Sequence, residues 1–160
     1  MGQSVLSPVY NITSDTATYT ALPDSCWEVM ADPGGKLTLR EAIHSGHFQN
    51  SDRKVDYRIN VYWLRYRLGN RMQQPLKIAL PEAAAYADLY WKADGGKWKH
   101  AKTGTSVHWS KRDGLKRIPA FTLTIPAGET FMVYKRMYWD YVAAQPDTMS
   151  VYFNFTDKLI

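Results

Sequence analysis

Alternation between apolar and polar residues dominates the chain and predicts a succession of β-strands. The longest alternating segment extends from Tyr57 to Leu68, and Gly69 and Asn70 end it. Asp94-Gly95-Gly96 is a strong hairpin signal, because glycine readily adopts the positive φ angles that tight turns require. The other segments with strand-like alternation are 16–20, 25–30, 76–80, 87–92, 97–102, 121–125, 131–138 and 149–155.

One short helix interrupts this pattern. Thr38 and Glu41 form a capping-box sequence, in which a hydroxyl and a carboxylate accept hydrogen bonds from free backbone N–H groups. The helix is predicted to run from Leu39 to about Ser45, and Gly46 ends it. About nine closely spaced strands with one short helix predict an all-β protein, an antiparallel β-sandwich or barrel. Within it, residues 1–24 are predicted to form an arm with an edge strand, and residues 25–160 a single domain.

The two faces of the longest strand carry different chemistry, because successive side chains of a strand point to opposite faces. The predicted core face carries Tyr62, Leu64, Tyr66 and Leu68. The other face carries Val61, Trp63, Arg65 and Arg67. An indole can stack on a flat polar ligand, and each guanidinium offers a fork of donors to carboxylate, phosphate or hydroxyl groups. The alternative is that these side chains stack on one another and bind nothing.

A second concentration of aromatic and basic residues lies at 132–141. Alternation places Arg136 and Tyr138 on one face of a strand, and Trp139 to Tyr141 are predicted to leave it as a loop. Loops with exposed Trp and Tyr often mark binding edges. Packing of these rings under the loop is the alternative.

Composition narrows the functional classes. The 160 residues carry 20 Lys and Arg against 15 Asp and Glu, a net charge of +5, with 11 Tyr and 6 Trp. This aromatic content excludes a disordered chain. A basic stripe with stacking platforms would suit single-stranded nucleic acid, but the lysines also suit solvated edge strands, which we favour. The residues concerned are Lys97, Lys99, Lys102, Lys111, Arg112, Lys116, Arg117, Trp91, Trp98 and Trp109.

The sequence offers little for catalysis or for a cofactor. Glu41, His44 and His47 could hold zinc, but Gly46 separates the two histidines and favours polar surface residues instead. Only four Glu are present and none lies in the Trp/Arg strand, whereas glycoside hydrolysis needs two opposed carboxylates. Cys26 is the single cysteine, so an intrachain disulfide is excluded. We expect no cofactor and no enzymatic activity.

Several motifs, in the same order along the chain, resemble a known family. The segment Val61-Tyr62-Trp63-Leu64-Arg65-Tyr66-Arg67-Leu68-Gly69-Asn70 is similar to its Trp-Leu-Arg-aromatic strand. Further similar segments are Trp27 to Phe48, Ala87 to Tyr90, Thr103-Gly104 with Lys111-Arg112, Phe121 to Glu129, Tyr134-Lys135-Arg136 and Gln145-Pro146. The chain thus resembles the extracytoplasmic domain, second extracellular type, of bacterial seven-transmembrane receptors with diverse intracellular signalling modules.

The resemblance implies a β jelly roll similar to carbohydrate-binding modules. It implies a periplasmic or extracellular sensor ahead of seven membrane helices and an intracellular output such as a histidine kinase or a nucleotide cyclase. The chain itself has no stretch as long as a membrane span and no signal peptide at its start. By motif position, Trp63, Arg65, Arg112 and Arg136 would line the binding face.

The sequence therefore predicts a noncatalytic sensor domain for a small polar ligand, carbohydrate-like or acidic. The predicted contacts are Trp63, Arg65, Arg67, Arg112, Arg136, Tyr138 and Trp139. A protein-interaction or homodimerisation module with the Trp139 loop as its contact remains an alternative. Single-stranded nucleic-acid binding is a further, less favoured one.

Overall fold

Two β-sheets packed face to face form the molecule. The computed structural model describes residues 6–16, 19–50, 59–139 and 151–156. Its one α-helix is α1 (Leu39–His44), and single turns of 3₁₀ helix occur at 24–26, 33–35 and 109–111. The strands are β1 (Tyr10–Ile12), β2 (Thr20–Ala21), β3 (Trp27–Ala31), β4 (Gln49–Asn50), β5 (Val61–Asn70), β6 (Leu76–Pro81), β7 (Tyr86–Ala93), β8 (Lys99–Thr103), β9 (Ala120–Ile125), β10 (Thr130–Tyr138) and β11 (Tyr152–Phe155).

The strand order is that of an antiparallel sandwich. One sheet has seven strands in the order β4-β3-β5-β10-β7-β8, with β1 added parallel to the end of β5. The other has four strands in the order β2-β11-β6-β9. From β5 onward the chain crosses between the sheets at nearly every connection, as in jelly rolls. The prediction of an all-β antiparallel sandwich with one short helix is confirmed.

The main hydrophobic core lies between the two sheets. The predicted core face of β5, which carries Tyr62, Leu64, Tyr66 and Leu68, belongs to it. Residues of the four-stranded sheet such as Ile78 and Phe153 meet this face and are fully buried. Each fully buried apolar side chain contributes about 1.5–3 kcal/mol to stability relative to an exposed one. Alternation along β5 turns four such side chains toward the other sheet, and their burial stabilises the contact between the sheets.

A second, smaller cluster lies on the outer face of the seven-stranded sheet. Met30, Trp63 and Tyr134 project from neighbouring strands, and Phe48 and the α1 residue Ala42 pack onto them. Helix α1 begins where the capping box predicts, since the Glu41 N–H donates to Thr38 Oγ1 (3.2 Å) and the Thr38 N–H to Glu41 Oε1 (3.0 Å). The helix and the turn before it therefore cover the β3–β5 half of this face.

An ion pair is buried between the two sheets. Lys135 projects from the inner face of β10, and its Nζ lies 2.8 Å from Glu82 Oε1, just after β6. The other oxygen of Glu82 accepts the Ala84 N–H at 3.0 Å. Burial, and then the charge of Glu82, raise the pKa of the Tyr66 phenol well above its usual value.

Strand positions follow the sequence prediction closely, with two additions. Strands β1 and β4, of three and two residues, are too short to give a clear alternating signal and were not predicted. The first residues of the predicted strands 57–68 and 149–155 lie outside the described ranges, as do residues 17–18 of the predicted strand 16–20 and Asp140 and Tyr141 of the predicted loop. The division into an arm, 1–24, and a domain, 25–160, stays a prediction.

Candidate functional site

Trp63 lies under the covering turn and helix rather than at the surface. It is fully buried, and its indole Nε1 donates to Asp32 Oδ2 at 3.0 Å. The two oxygens of Asp32 also accept the backbone N–H groups of Lys36 (3.0 Å) and Leu37 (3.2 Å). Asp32 thus ties the turn to the sheet through Trp63, and the indole has no exposed face on which a ligand could stack in this conformation.

Arg65 is buried beside Trp63 and forms an ion pair with Glu28 on the adjacent strand. Its Nε lies 3.1 Å from Glu28 Oε2, and its guanidinium carbon lies 4.2 Å from the centre of the Phe48 ring. Burial raises the pKa of the nearby Tyr134, and a hydrogen bond from Arg65 works against this rise. Arg65 on β5 therefore contacts Glu28 on β3, Tyr134 on β10 and Phe48 just before β4.

Arg67 continues the same face toward the N-terminal segment. Its Nη2 donates to the Ser7 carbonyl oxygen at 2.7 Å. Its Nε is buried and has no hydrogen-bond partner among the described residues. The predicted row of Trp63, Arg65 and Arg67 thus exists on one face, but the fold covers most of it.

The open half of this sheet, on β10, β7 and β8, carries the polar cluster that remains accessible. Asp88 Oδ1 lies 2.7 Å from His100 Nε2, and Asp88 Oδ2 lies 3.9 Å from Arg136 Nη1. The side chains of all three are partly exposed. Arg136 also donates to the Gly35 carbonyl at 3.5 Å.

Aromatic rings surround this polar cluster. The rings of Tyr90 and His100 stack with centres 4.3 Å apart and planes within 9°. Trp63 lies beyond Tyr90 at 6.2 Å with a 20° angle between their planes. Burial and the Asp88 charge raise the pKa of Tyr90, and the Arg136 charge counteracts them. The phenol is therefore held in its neutral form, in which it can donate a hydrogen bond.

Tyr86 and Tyr138 extend the cluster at one end of the strands. Their ring centres are 5.9 Å apart, and the Tyr86 side chain is exposed. Strand pairing explains the arrangement, because Tyr138 lies opposite Tyr86 and Arg136 lies opposite Asp88. We call this surface the outer-face platform, and its members are Tyr86, Asp88, Tyr90, His100, Arg136 and Tyr138.

Arg112 does not lie on the platform strands. Its Nε donates to the carbonyl oxygens of Gly104 (3.1 Å) and Val107 (3.0 Å), and its Nη1 donates to those of Lys116 (2.9 Å) and Arg117 (3.3 Å). This guanidinium therefore organises the loop between β8 and β9.

Trp139 belongs to the main core. Its indole is buried, its backbone N–H donates to the Asn60 carbonyl at 3.1 Å, and its Nε1 finds no partner in the described ranges. The alternative of packing under the loop describes this side chain. Homodimerisation through the Trp139 loop stays a prediction, and the buried indole itself offers almost no surface to a partner.

Two of the three residues that were considered as zinc ligands, and disfavoured, have other partners in the fold. Glu41 takes part in the capping box, and His44 Nδ1 lies 2.8 Å from the Arg40 carbonyl oxygen. Within the residues that the structure describes, no three His, Cys, Asp or Glu side chains are grouped in a way that could hold a metal ion.

Strand pairing brings together site residues that sequence analysis separated. It unites Arg136 and Tyr138, which were predicted, with Asp88, Tyr90 and His100, which were not. Alternation in the 87–92 segment does place Asp88 and Tyr90 on one face, and this was the signal available for them. His100 stood alone in the sequence, and only the pairing of β8 with β7 places it opposite Tyr90.

Comparison with protein families identifies the class of this sandwich. The profile of the family described as 7TMR-DISM extracellular 2 matches residues 24–149. The chain therefore belongs to this family and is an extracellular sensor domain of the seven-transmembrane receptor type, as the motifs predicted. A comparison with curated proteins gave no match. Over the described ranges, no helix has the length and apolar character needed to cross a membrane.

Proposed function

We propose that this sensor domain binds a small carbohydrate-like ligand, neutral or acidic, on the outer-face platform. The observation that carries the proposal is the parallel stack of Tyr90 and His100 directly beside Asp88 and Arg136. The partly exposed His100 ring, backed by Tyr90, can receive the apolar C–H side of a sugar ring, while the neighbouring carboxylate and guanidinium groups bind its hydroxyls. The domain is proposed to act without catalysis.

Arg136 is the side chain best placed to meet an acidic or hydroxyl group. It is 25% exposed, and its two contacts, to Asp88 at 3.9 Å and to the Gly35 carbonyl at 3.5 Å, are both long. A ligand could therefore replace these contacts with shorter, charge-assisted hydrogen bonds. Trp63 and Arg65 would act indirectly. Trp63 fixes the covering turn that Arg136 contacts, and Arg65 contacts Tyr134 on β10, the strand that carries Arg136.

Ligand binding would act on the receptor by favouring one conformation of the domain over another. A ligand shifts such an equilibrium only by the difference between its affinities for the two states. The contacts of Arg136 to both β7 and the 33–35 turn supply that difference. If a ligand draws the guanidinium away from Gly35, it loosens the turn that covers the other half of the sheet.

The proposal is tested by calorimetric titration of the purified chain with neutral sugars and sugar acids. We expect Arg136→Ala to weaken binding roughly 10- to 100-fold, the effect of one charge-assisted hydrogen bond. Tyr90→Ala should weaken it about 3- to 10-fold, because the His100 ring loses the aromatic ring that it stacks on.

Matched controls keep this result specific. Tyr19→Ala removes an exposed ring that contacts Tyr152 of the other sheet, with ring centres 5.1 Å apart, and should leave affinity unchanged. Arg71→Ala removes an exposed arginine that contacts Thr130, at the opposite end of β10 from Arg136 and Tyr138, and should also bind like wild type. Equal binding by Arg136→Ala and wild type would overturn the proposed site, and a panel with no binder would overturn the ligand class.

A further inference from the structure

Two large apolar side chains project into solvent from one loop. Trp109 and Ile118 are 60% and 68% exposed and are the most exposed large hydrophobic residues of the described chain. Both lie between β8 and β9, in residues 104–119, which we call the Trp109 loop. Single exposed apolar residues are common, but two in one loop require an explanation.

The Trp109 loop has a defined internal scaffold. The Arg112 guanidinium donates hydrogen bonds to carbonyl oxygens on both sides of the loop, those of Val107 (3.0 Å) and Lys116 (2.9 Å). This guanidinium therefore connects the two parts of the loop that carry Trp109 and Ile118. Gly114 has a φ of +70°, and a Cβ there would lie 2.2 Å from the Ala120 carbonyl oxygen, so the turn demands glycine. The apolar side chains are thus displayed on a tied loop.

The same loop also carries exposed, positively charged side chains. Lys111, Lys116 and Arg117 are exposed in the same loop, and the Lys116 ammonium donates to the Arg112 carbonyl. The one acidic residue of the loop, Asp113, is engaged in accepting the Lys102 N–H at 2.8 Å. The loop therefore presents positive charge around an apolar pair.

We propose that the Trp109 loop docks this domain on the surface of an anionic lipid bilayer. Tryptophan is favoured at the depth of lipid headgroups, and an adjacent aliphatic side chain can enter the acyl boundary. Lysine and arginine near an anionic bilayer contribute attraction within about one Debye length. The domain belongs to a family of extracellular domains of seven-transmembrane receptors. In such a receptor the domain is tethered close to a bilayer, so a bilayer surface is within its reach.

The chemistry of the pair favours lipid over nucleic acid. Single-stranded nucleic acid needs aromatic platforms along a basic groove, whereas Ile118, the more exposed of the two, cannot stack on a base. An apolar tip surrounded by cations is complementary to an anionic headgroup layer above hydrocarbon. The membrane is therefore the occupant to which the observations point.

Co-sedimentation with vesicles tests the proposal. The wild-type chain should bind vesicles of phosphatidylcholine with about a third phosphatidylglycerol, and bind phosphatidylcholine alone much less. Ile118→Ser should lower the partition coefficient about tenfold, from the loss of one inserted aliphatic side chain. Lys111→Ala and Arg117→Ala should each lower it about fivefold, and only on anionic vesicles.

Controls of the same kind define the specificity. Tyr19→Ala, which removes another exposed hydrophobic side chain, and Lys77→Ala, which removes an exposed lysine of the four-stranded sheet, should bind vesicles like wild type. Tyr90→Ala, on the platform, should also bind vesicles normally, so that failure of the ligand proposal does not affect this test.

Fluorescence adds a direct readout of insertion. Trp109 is 60% exposed, whereas the other tryptophans of the described chain are buried or half-buried, so its emission should shift to the blue when vesicles are added. Trp109→Phe should still sediment with anionic vesicles but lose that shift, which separates insertion from folding.

Three outcomes would overturn the proposal. The first is that the wild-type chain does not bind anionic vesicles. The second is that Ile118→Ser and Tyr19→Ala have equal effects. The third is that a single-stranded oligonucleotide or a protein binds the loop through Trp109 while vesicles do not.

Discussion

The guanidinium groups of Arg65, Arg112 and Arg136 differ in the partners that hold their donors. Arg65 is buried against Glu28, and Arg112 donates to four carbonyl oxygens. Arg136 has two long contacts and is partly exposed. A ligand that used Arg65 would have to replace a buried ion pair, at a penalty of several kcal/mol. Residue type alone therefore does not determine which arginine binds.

Tyr66 gives a pH dependence that belongs to a single residue. Burial raises the pKa of its phenol above the value in the unfolded chain, so unfolded Tyr66 loses its proton first as pH rises. Tyr66 therefore contributes stability that is complete below about pH 10 and is lost as pH rises further. We expect the free energy of unfolding to fall more steeply with pH above this point in wild type than in Tyr66→Phe.

Urea unfolding at a series of alkaline pH values measures this difference. The absolute stability of Tyr66→Phe is not the readout, because removal of the hydroxyl also changes packing; only the slope with pH is compared. Identical slopes for the two proteins would contradict the assignment of the effect to Tyr66.

Glycines define the turns at the scale of single elements, and two of them form a matched pair. Gly95 and Gly114 both have positive φ, +73° and +70°. A Cβ at Gly95 meets nothing within 4 Å, whereas one at Gly114 would lie 2.2 Å from the Ala120 carbonyl oxygen. Gly95→Ala should lower the free energy of unfolding by about 1–2 kcal/mol, from backbone strain alone. Gly114→Ala should lower it clearly further.

Chemical denaturation of the two variants tests this prediction, and the difference between them isolates the steric clash from the strain. Equal destabilisation by Gly95→Ala and Gly114→Ala would show that the Trp109 loop moves to accommodate the extra atom. That result would also remove the defined scaffold on which the membrane proposal relies.

The elements that could be predicted from sequence are those with local signals. Alternation identifies the long strands, and the capping box places the start of α1 because both partners lie within one turn. The candidate site is different in kind. Asp88 meets Arg136 only because β7 pairs with β10, and Trp63 is covered because residues far from it in sequence, the Asp32 turn and helix α1, pack over it. Neither pairing register nor cover can be read from one strand's pattern.

At the scale of the whole molecule, the pair of Glu82 and Lys135 connects the two sheets. Removal of one partner leaves a buried charge, so Lys135→Met should lower the free energy of unfolding by about 3–5 kcal/mol. Combining it with Glu82→Gln should recover part of that loss, because the second change neutralises the unpaired carboxylate. A double-mutant cycle by urea unfolding measures the coupling.

Simple additivity of the two changes would contradict a direct interaction between Glu82 and Lys135. A suitable control for the charge change is Lys77→Met, since Lys77 is an exposed lysine on β6, the strand that precedes Glu82. It should alter the free energy of unfolding by less than about 0.5 kcal/mol.

Strand β10 lies at the centre of the seven-stranded sheet, and its consecutive residues face opposite ways. Arg136 points to the outer-face platform, and Lys135 points inward to Glu82 beside the four-stranded sheet. One peptide bond therefore separates the surface that would meet a ligand from the contact between the sheets. Rotation of this strand about its own axis would move both side chains at once, so a displacement of Arg136 at the platform would be felt directly at the contact between the two sheets.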